Sequence, residues 1–394
     1  MKHLVLIGGG HSHVAVLRAF GMAPPPDTRL TLICNVVHTP YSGMLPGLIA
    51  GHYRFEDAHI DLTPLSEFAK ATFVNDTVIG LDPETRLVKR TGGPPIPYDL
   101  LSINIGSAPA TKNVPGAAEH TVPVKPISGF LSHWEALQAR LAADDQPCRI
   151  AVVGGGAGGV ELLLALQHRL SQGPHAHRLQ FHLVTEEDEL LSTHLPRIRK
   201  AFHRTFAARG IALHTNHRVS HVEAGRLHCE NGGTLAFDEI LWVTAAGAAS
   251  WPAEAGLSID GRGFIAIGET MQSVSHPEVF AVGDIASMAA HPRPKSGVFA
   301  VKQGPALAEN LRRHLAGDPL VPHIPQSKYL SLISTGDRYA VGSRGGWSLQ
   351  GRLMWHLKDW IDRRFIATYT DLPVLRGPAQ SQPEAGVTPP RRSP

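Results

Sequence analysis

The strongest constraint in this chain is an internal repeat. Leu4 to Leu17 reads LVLIGGGHSHVAVL and Ile150 to Leu163 reads IAVVGGGAGGVELL. Each is an apolar run, a glycine turn and a segment with apolar residues at helical spacing. An unalternating apolar run fits a strand buried on both faces of a parallel sheet, so both segments predict strand, turn, helix. The turns carry GxG at Gly8 and Gly10 and at Gly154 and Gly156, and Gly159 completes GxGxxG in the second copy. The first glycine permits the tight turn, the second lets the backbone approach a pyrophosphate, and the third lets helix and strand pack closely. The helix N-terminus then offers free N–H groups to phosphate. In the first copy His13 stands at the third position, where its bulk is expected to displace the helix or swing the side chain outward. A metal bound by His11 and His13 would compete with phosphate, and no metal site is expected.

The next strand in each unit should end near an adenosine ribose. Leu179 to Thr185 leads to Glu186 and Glu187 with no arginine close behind. An acid there favours a ribose diol and repels an extra phosphate, so NADH is the expected nucleotide. In the first unit the equivalent strand ends at Cys34 and Asn35, leaving Asn35 as the ribose contact and Cys34 as a small apolar filler.

Composition narrows the chemistry. The 394 residues are 43% hydrophobic and 18% charged, with 39 glycines and 31 prolines, which suits a globular chain of two or three domains. The net charge of +3 implies no nucleic-acid partner. Three scattered cysteines, Cys34, Cys148 and Cys229, argue against a disulfide scaffold, a cysteine zinc site and a local dithiol centre. No apolar stretch approaches a membrane span or a signal peptide, and a cytoplasmic location is expected.

Further stretches fall in the same order as in a known group. Leu100 to Pro109 (LLSINIGSAP, with Gly106), Leu241 to Gly247 (LWVTAAG) and Val279 to Ala286 (VFAVGDIA, with Gly283 and Asp284) join the two glycine turns. Together they resemble the two-dinucleotide flavoproteins of the pyridine nucleotide-disulfide oxidoreductase fold. Tyr41 to Gly51 (YSGMLPGLIAG, with Ser42 and Pro46) and Val160–Glu161 resemble type II NADH dehydrogenases. GGGHSHV, HTPYSGMLPG and VPVKPI are similar to the flavoprotein often fused to selenide, water dikinase.

The resemblance implies an α/β fold of two Rossmann-like domains with a small C-terminal region. FAD would take 1–120 and 258–325, NADH 121–257, and 326–373 would cap the molecule, with a disordered tail at 374–394. FAD would be held by Gly8, Gly10, Asn35, Ser42, Gly106, Gly283 and Asp284. NADH would be held by Gly154, Gly156, Gly159, Glu161, Glu186 and Gly247. Pro46, Glu161, Lys302 and Gln303 are the candidates beside the flavin; Glu161 would position the nicotinamide or stand as an exposed helix glutamate. A helix is expected to open near Gln303 and Gly304, aiming N–H groups at the flavin's pyrimidine edge, where Lys302 would add charge or else stand as a surface lysine. Lys125 and Lys295 are weaker candidates for the flavin neighbourhood, with ordinary solvated lysines the favoured expectation.

The implied activity is hydride transfer from NADH to FAD and onward to a quinone-like acceptor. A soluble reductase for a small selenium- or sulfur-containing substrate and a non-catalytic NADH- or FAD-binding sensor remain as alternatives. Finally, 347–365 carries three of the six tryptophans. Leu349, Leu353, Leu357, Trp360 or Ile361, and Phe365 are expected on one helical face with Trp355 opposite. Such a basic amphipathic helix suits an anionic membrane surface, the body of the protein or a dimer partner.

Overall fold

The computed structural model describes residues 1–109, 111, 114–244 and 246–374. The apolar run at the N-terminus forms β1 (Lys2–Ile7), whose last five residues are buried, and the glycine turn leads into α1 (His11–Met22). There follow β2 (Thr28–Cys34), a short helix α2 (Leu45–Ile49), β3 (Thr72–Asn75) and β4 (Leu100–Ile103).

The second copy repeats the plan. After β5 (Val122–Pro123) and the helix α3 (Ile127–Ala143) come β6 (Cys148–Val153), α4 (Ala157–Leu170), β7 (Leu179–Val184) and β8 (Ala212–His214). A three-stranded antiparallel ribbon follows, β9 (Val219–Glu223), β10 (Arg226–Cys229) and β11 (Thr234–Ala236), and then β12 (Glu239–Trp242). The second sheet is parallel, ordered β5-β12-β6-β7-β8.

Beyond it, β13 (Val279–Ala281) returns to the first sheet, which is parallel and ordered β13-β4-β1-β2-β3. The repeat in sequence is therefore a repeat in topology: β1 and β6 occupy matching central places, each flanked by the next strand on one side and a late strand on the other. Both are doubly wound α/β sheets whose strand order reverses beside the glycine turn, the point where such sheets bind ligands. Gly8 (φ +91°) and Gly154 (φ +131°) lie in the left-handed region. A Cβ on either would collide with the carbonyl group that follows the neighbouring strand, Asn104 or Val243 respectively, so no other residue fits.

His13 does not swing outward. It is fully buried, with Nδ1 2.6 Å from the Gly8 carbonyl oxygen and Nε2 2.8 Å from Ser102 Oγ. At the matching place a Cβ on Gly159 would strike the Gly154 carbonyl. The two copies thus handle the same carbonyl differently: bare backbone rests on it in the second, and an imidazole N–H donates to it in the first.

The remaining chain forms α5 (Gly297–Ala316), an antiparallel sheet of β14 (Ser331–Ser334), β15 (Ala340–Arg344) and β16 (Trp347–Gly351), and α6 (Arg352–Thr370). α5 packs along α1 so closely that a Cβ on Gly304 would lie 2.6 Å from the Ala15 Cβ, and Ser12 Oγ donates to the Ala300 carbonyl at 2.6 Å. One core surrounds the first sheet and takes in Ile366 and Tyr369 of α6. A second lies under the second sheet and takes in Leu45 and Ile49 of α2 with Ile333 and Val341.

The expected helix over 347–365 is corrected in two ways. Its first part, including Leu349, is strand β16, and the helix begins at Arg352. Of the expected apolar face, Leu353 and Trp360 are 79% and 57% exposed while Phe365 packs on Tyr41, and Trp355, Asp362, Ile366 and Tyr369 of the helix are buried. Charge masked this face in sequence, because Lys358 and Asp362 lie on it as an ion pair at 2.7 Å. The expected tail, from 375 onward, lies outside the described residues.

Burial drives the His13 imidazole down to about 4 from an ordinary 6.5, against the opposing Gly8 hydrogen bond. The folded protein keeps this ring neutral where the unfolded chain protonates it, so its stabilisation is full above pH 6.5 and is lost as pH falls through about 4. His13→Ala strands the Gly8 carbonyl and the Ser102 hydroxyl, and denaturant unfolding at pH 7 should show a loss of about 1–3 kcal/mol. The gap between wild type and variant should narrow on acidification between those two values.

Candidate functional site

Two cradles open at the two switch points. In the first, α1 starts at Gly10 with no side-chain cap and no acid in its first turn. Asn104, at the end of β4, is buried against Gly10 and Gly283, and its Nδ2 has no hydrogen-bond partner. His11 is half-buried, its Nε2 is buried and likewise unpartnered, and desolvation lowers its imidazole to about 4. Gly106 (φ +72°) faces open space, and Asn35 is exposed at the end of β2.

Asp284 sits in a single 3-10 turn after β13. Its carboxylate accepts from Lys125 Nζ at 2.9 Å and from Ser107 Oγ at 3.0 Å. Burial alone would raise this carboxyl, but Lys125 and Ser107 outweigh it and hold it below the ordinary value. Lys125 is therefore no ordinary solvated lysine. Nor is Lys295, which lies 4.0 Å over the Phe264 ring and donates to the Ala286 carbonyl; burial lowers its ammonium to about 8. Both border the Gly283–Asp284 turn, and Lys295 lines a cavity of about 190 Å³ with Asp260, Arg262 and Gln303.

Gln303 and Lys302 are not at a helix opening. They fall in the middle of α5, whose N-terminus is at Ser296 and Gly297. Gln303 is buried and its Oε1 accepts from the Gly283 N–H at 2.7 Å, while Lys302, 100° further round the helix, is exposed. The uncapped start of α5 instead meets Ser42 and His11, since a Cβ on Gly297 would lie 3.3 Å from Ser42 Oγ and 3.9 Å from the His11 ring. Tyr41 stacks on Phe365 of α6 at 4.4 Å, with the His11 ring edge-on 5.3 Å away. Burial and then Asp362 raise the Tyr41 phenol, keeping it protonated.

In the second cradle α4 begins at Gly156, again without a side-chain cap or an acid in the first turn, and a Cβ on Gly156 would meet only open space. Glu186, at the end of β7, is half-exposed and pairs with Arg218 at 3.0 Å. The sequence shows no arginine near Glu186; folding supplies one from the foot of the ribbon.

The cradles are joined. Pro46 is buried at the head of α2, which packs on α4, and Gly247 pairs antiparallel with Ala108, linking the segments that leave the two sheets. Glu161 is half-buried on α4, and its carboxylate accepts from the Ser334 N–H at 2.7 Å. Burial raises its carboxyl, partly offset by Lys358. Lys358 Nζ donates to the Gly43 carbonyl at 2.6 Å and to Asp362 at 2.7 Å. Burial opposes its charge, but Asp362 and Glu161 keep it an ammonium.

Asn104, Ser107, Lys358 and Phe365 belong to this region and were not singled out for it in sequence, while Tyr41 lay in the stretch Tyr41 to Gly51 and Lys125 was only a weaker candidate. A polar residue closing the buried run Leu100–Ile103 could have flagged Asn104; the others come from distant segments. All three cysteines are free and buried, and burial raises each thiol, so none offers a thiolate.

Known proteins are similar in sequence and fold. A sulfide-quinone reductase from Aquifex aeolicus is 23% identical over 338 residues, 81% of this chain and 78% of that protein. A type II NADH:quinone oxidoreductase from Haemophilus influenzae is 24% identical over 73% of this chain and 74% of its own. Among solved structures, the NADH complex of NDH2 from Plasmodium falciparum superposes with a TM-score of 0.78 at 14% identity, covering 94% of this chain and 97% of that one. The family description for pyridine nucleotide-disulphide oxidoreductases matches residues 2–304, which is most of the chain. This chain belongs to the pyridine nucleotide-disulphide oxidoreductase family.

Proposed function

We propose that this oxidoreductase takes hydride from NADH through a bound FAD and delivers electrons to a quinone-class acceptor without a redox disulfide. The observation that carries the reading is the pair of uncapped, acid-free helix N-termini at the two switch points, joined through α2 and α4. The residues fit the groups. Unpartnered Asn104 Nδ2 and His11 Nε2 beside Gly10, and open space at Gly106 and Gly156, leave room and donors for ligands that the protein's own side chains do not fill. Relatives named for quinone reduction support the acceptor class.

In this assignment 1–120 and 258–325 form the FAD unit, 121–257 the NADH unit and 326–373 the cap. Gly8, Gly10, Asn35, Ser42, Gly106, Gly283 and Asp284 hold FAD; Gly154, Gly156, Gly159, Glu186 and Gly247 hold NADH. FAD, when bound, supplies the redox chemistry, accepting hydride and passing electrons on. The chain binds, orients and excludes water. The first turn of α1 neutralises pyrophosphate charge. Gln303 holds the Gly283 N–H while Lys125 and Ser107 hold Asp284, so this turn cannot rotate freely. Pro46 and α2 set the spacing between the two nucleotides. The uncapped start of α5 favours negative charge beside Ser42 and His11. Tyr41 and Phe365 close that space from the α6 side.

Anaerobic titration of the purified yellow protein with NADH should bleach the flavin, and a water-soluble quinone should restore the colour. Bound flavin that NADH leaves oxidised contradicts the proposal. Glu186 disfavours a 2′-phosphate and also occupies Arg218. Glu186→Gln removes the repulsion and frees the guanidinium, so the NADH-over-NADPH ratio of kcat/KM should fall at least ~10-fold, equivalent to 1.4 kcal/mol.

No helix among the described residues is long and apolar enough to cross a membrane. Trp347 and Leu349 of β16 and Leu353 and Trp360 of α6 nevertheless stand exposed, with Arg364 over the Trp360 ring at 5.3 Å. This is an interfacial pattern, and we assign it to peripheral contact with an anionic membrane. Flotation with anionic vesicles should recover the wild type and lose the Leu353→Glu, Trp360→Glu double variant; equal flotation of both rejects the contact.

A further inference from the structure

The ribbon β9–β11 carries a cluster that the dinucleotide chemistry does not use. Side chains two apart on a strand share a face, which puts His221 and Glu223 together. The antiparallel register then places His228 of β10 opposite His221. The two imidazoles stack at 4.0 Å with planes 3° apart. Glu223 lies 3.9 Å from His221 Nε2 and 3.3 Å from His228 Nε2. Among the described residues this is the one set of three whose ligand atoms all lie within 4.8 Å of one another.

We infer that His221, Glu223 and His228 form a binding site for a divalent late transition ion of the zinc class. Two imidazole nitrogens and a carboxylate oxygen are the donor set such ions take, with a fourth position left to water. Bonds of ~2.0–2.1 Å in a tetrahedron put neighbouring donors ~3.3 Å apart. The Glu223–His228 edge already has that length; because an imidazole nitrogen binds in its ring plane, the His221 ring turns out of its parallel stack on His228 to bring Nε2 to the same ion. His228 Nε2 is buried without a hydrogen-bond partner, while its Nδ1 is 3.3 Å from Thr234 Oγ1. That outer hydrogen bond fixes the ring and leaves Nε2 to the ion. Arg226 stands opposite Glu223 in the register, yet among the described residues the carboxylate pairs with the two imidazoles and not with the guanidinium.

The test is equilibrium dialysis of the full flavin-loaded chain, stripped with chelator, against Zn2+. Wild type should take up one tight equivalent and melt at a higher temperature with it. His228→Ala and His221→Ala should each lose that equivalent. Glu223→Gln, which keeps the side chain's size, and Thr234→Val should bind at least ~10-fold more weakly. His203→Ala, which removes a histidine from a different surface pair, should bind as wild type does. Metal-free melting of each variant checks that the ribbon is intact. Tight binding unchanged in both His→Ala variants, or no tight equivalent in wild type, overturns the inference. Loss in His203→Ala as well would mark the uptake as general histidine binding and overturns it too.

Discussion

Each half of the molecule rests on the same close approach. The first glycine of each turn, Gly8 or Gly154, presses against the carbonyl that follows the neighbouring strand, Asn104 or Val243. That contact sets how near the helix can stand to the switch point between strands, and so where its N-terminal N–H groups point. A methyl group there would separate strand from helix and empty the cradle. His13 shows how firmly the geometry is held: where the third glycine is missing, the imidazole satisfies the Gly8 carbonyl that bare backbone would otherwise cover.

The C-terminal segment converts two cradles into one site. α6 brings Phe365 onto Tyr41, and Lys358 onto the Gly43 carbonyl. Glu161 of the second unit reaches the backbone of Ser334 in the cap. Buried charges are costly unless paired and hydrogen-bonded; here Lys358 has both Asp362 and Glu161 around it. These groups tie the C-terminal segment to α4 and to the loop before α2, while Trp347, Leu349, Leu353 and Trp360 stay exposed.

Much of the architecture is legible in the chain because glycine turns and buried strands have local signatures. The two β–turn–α units lie where the apolar runs and GxG turns indicate, and the scattered cysteines are unable to form a dithiol. The site was less legible. Gln303 and Lys302 were expected at a helix start from the family resemblance, yet Gly304 serves contact with α1 and the helix begins earlier. Lys125 and Lys295 looked ordinary because nothing local marks a lysine that will meet an aspartate or an aromatic ring from a distant segment. The inward face of α6 stayed open for a related reason: Lys358 and Asp362 look solvent-seeking until their partners are known.

The sequence alone determined the α/β class, the duplication and the absence of paired cysteines, since each depends on residues close together or on simple counts. Only the tertiary structure decided which charges are buried, that Arg218 meets Glu186, that the cap joins the two units, and that a register-matched histidine pair lies beside Glu223. These depend on contacts between segments far apart in the chain. Side-chain chemistry gives no local sign of them until packing has set which groups lose water and which partners replace it.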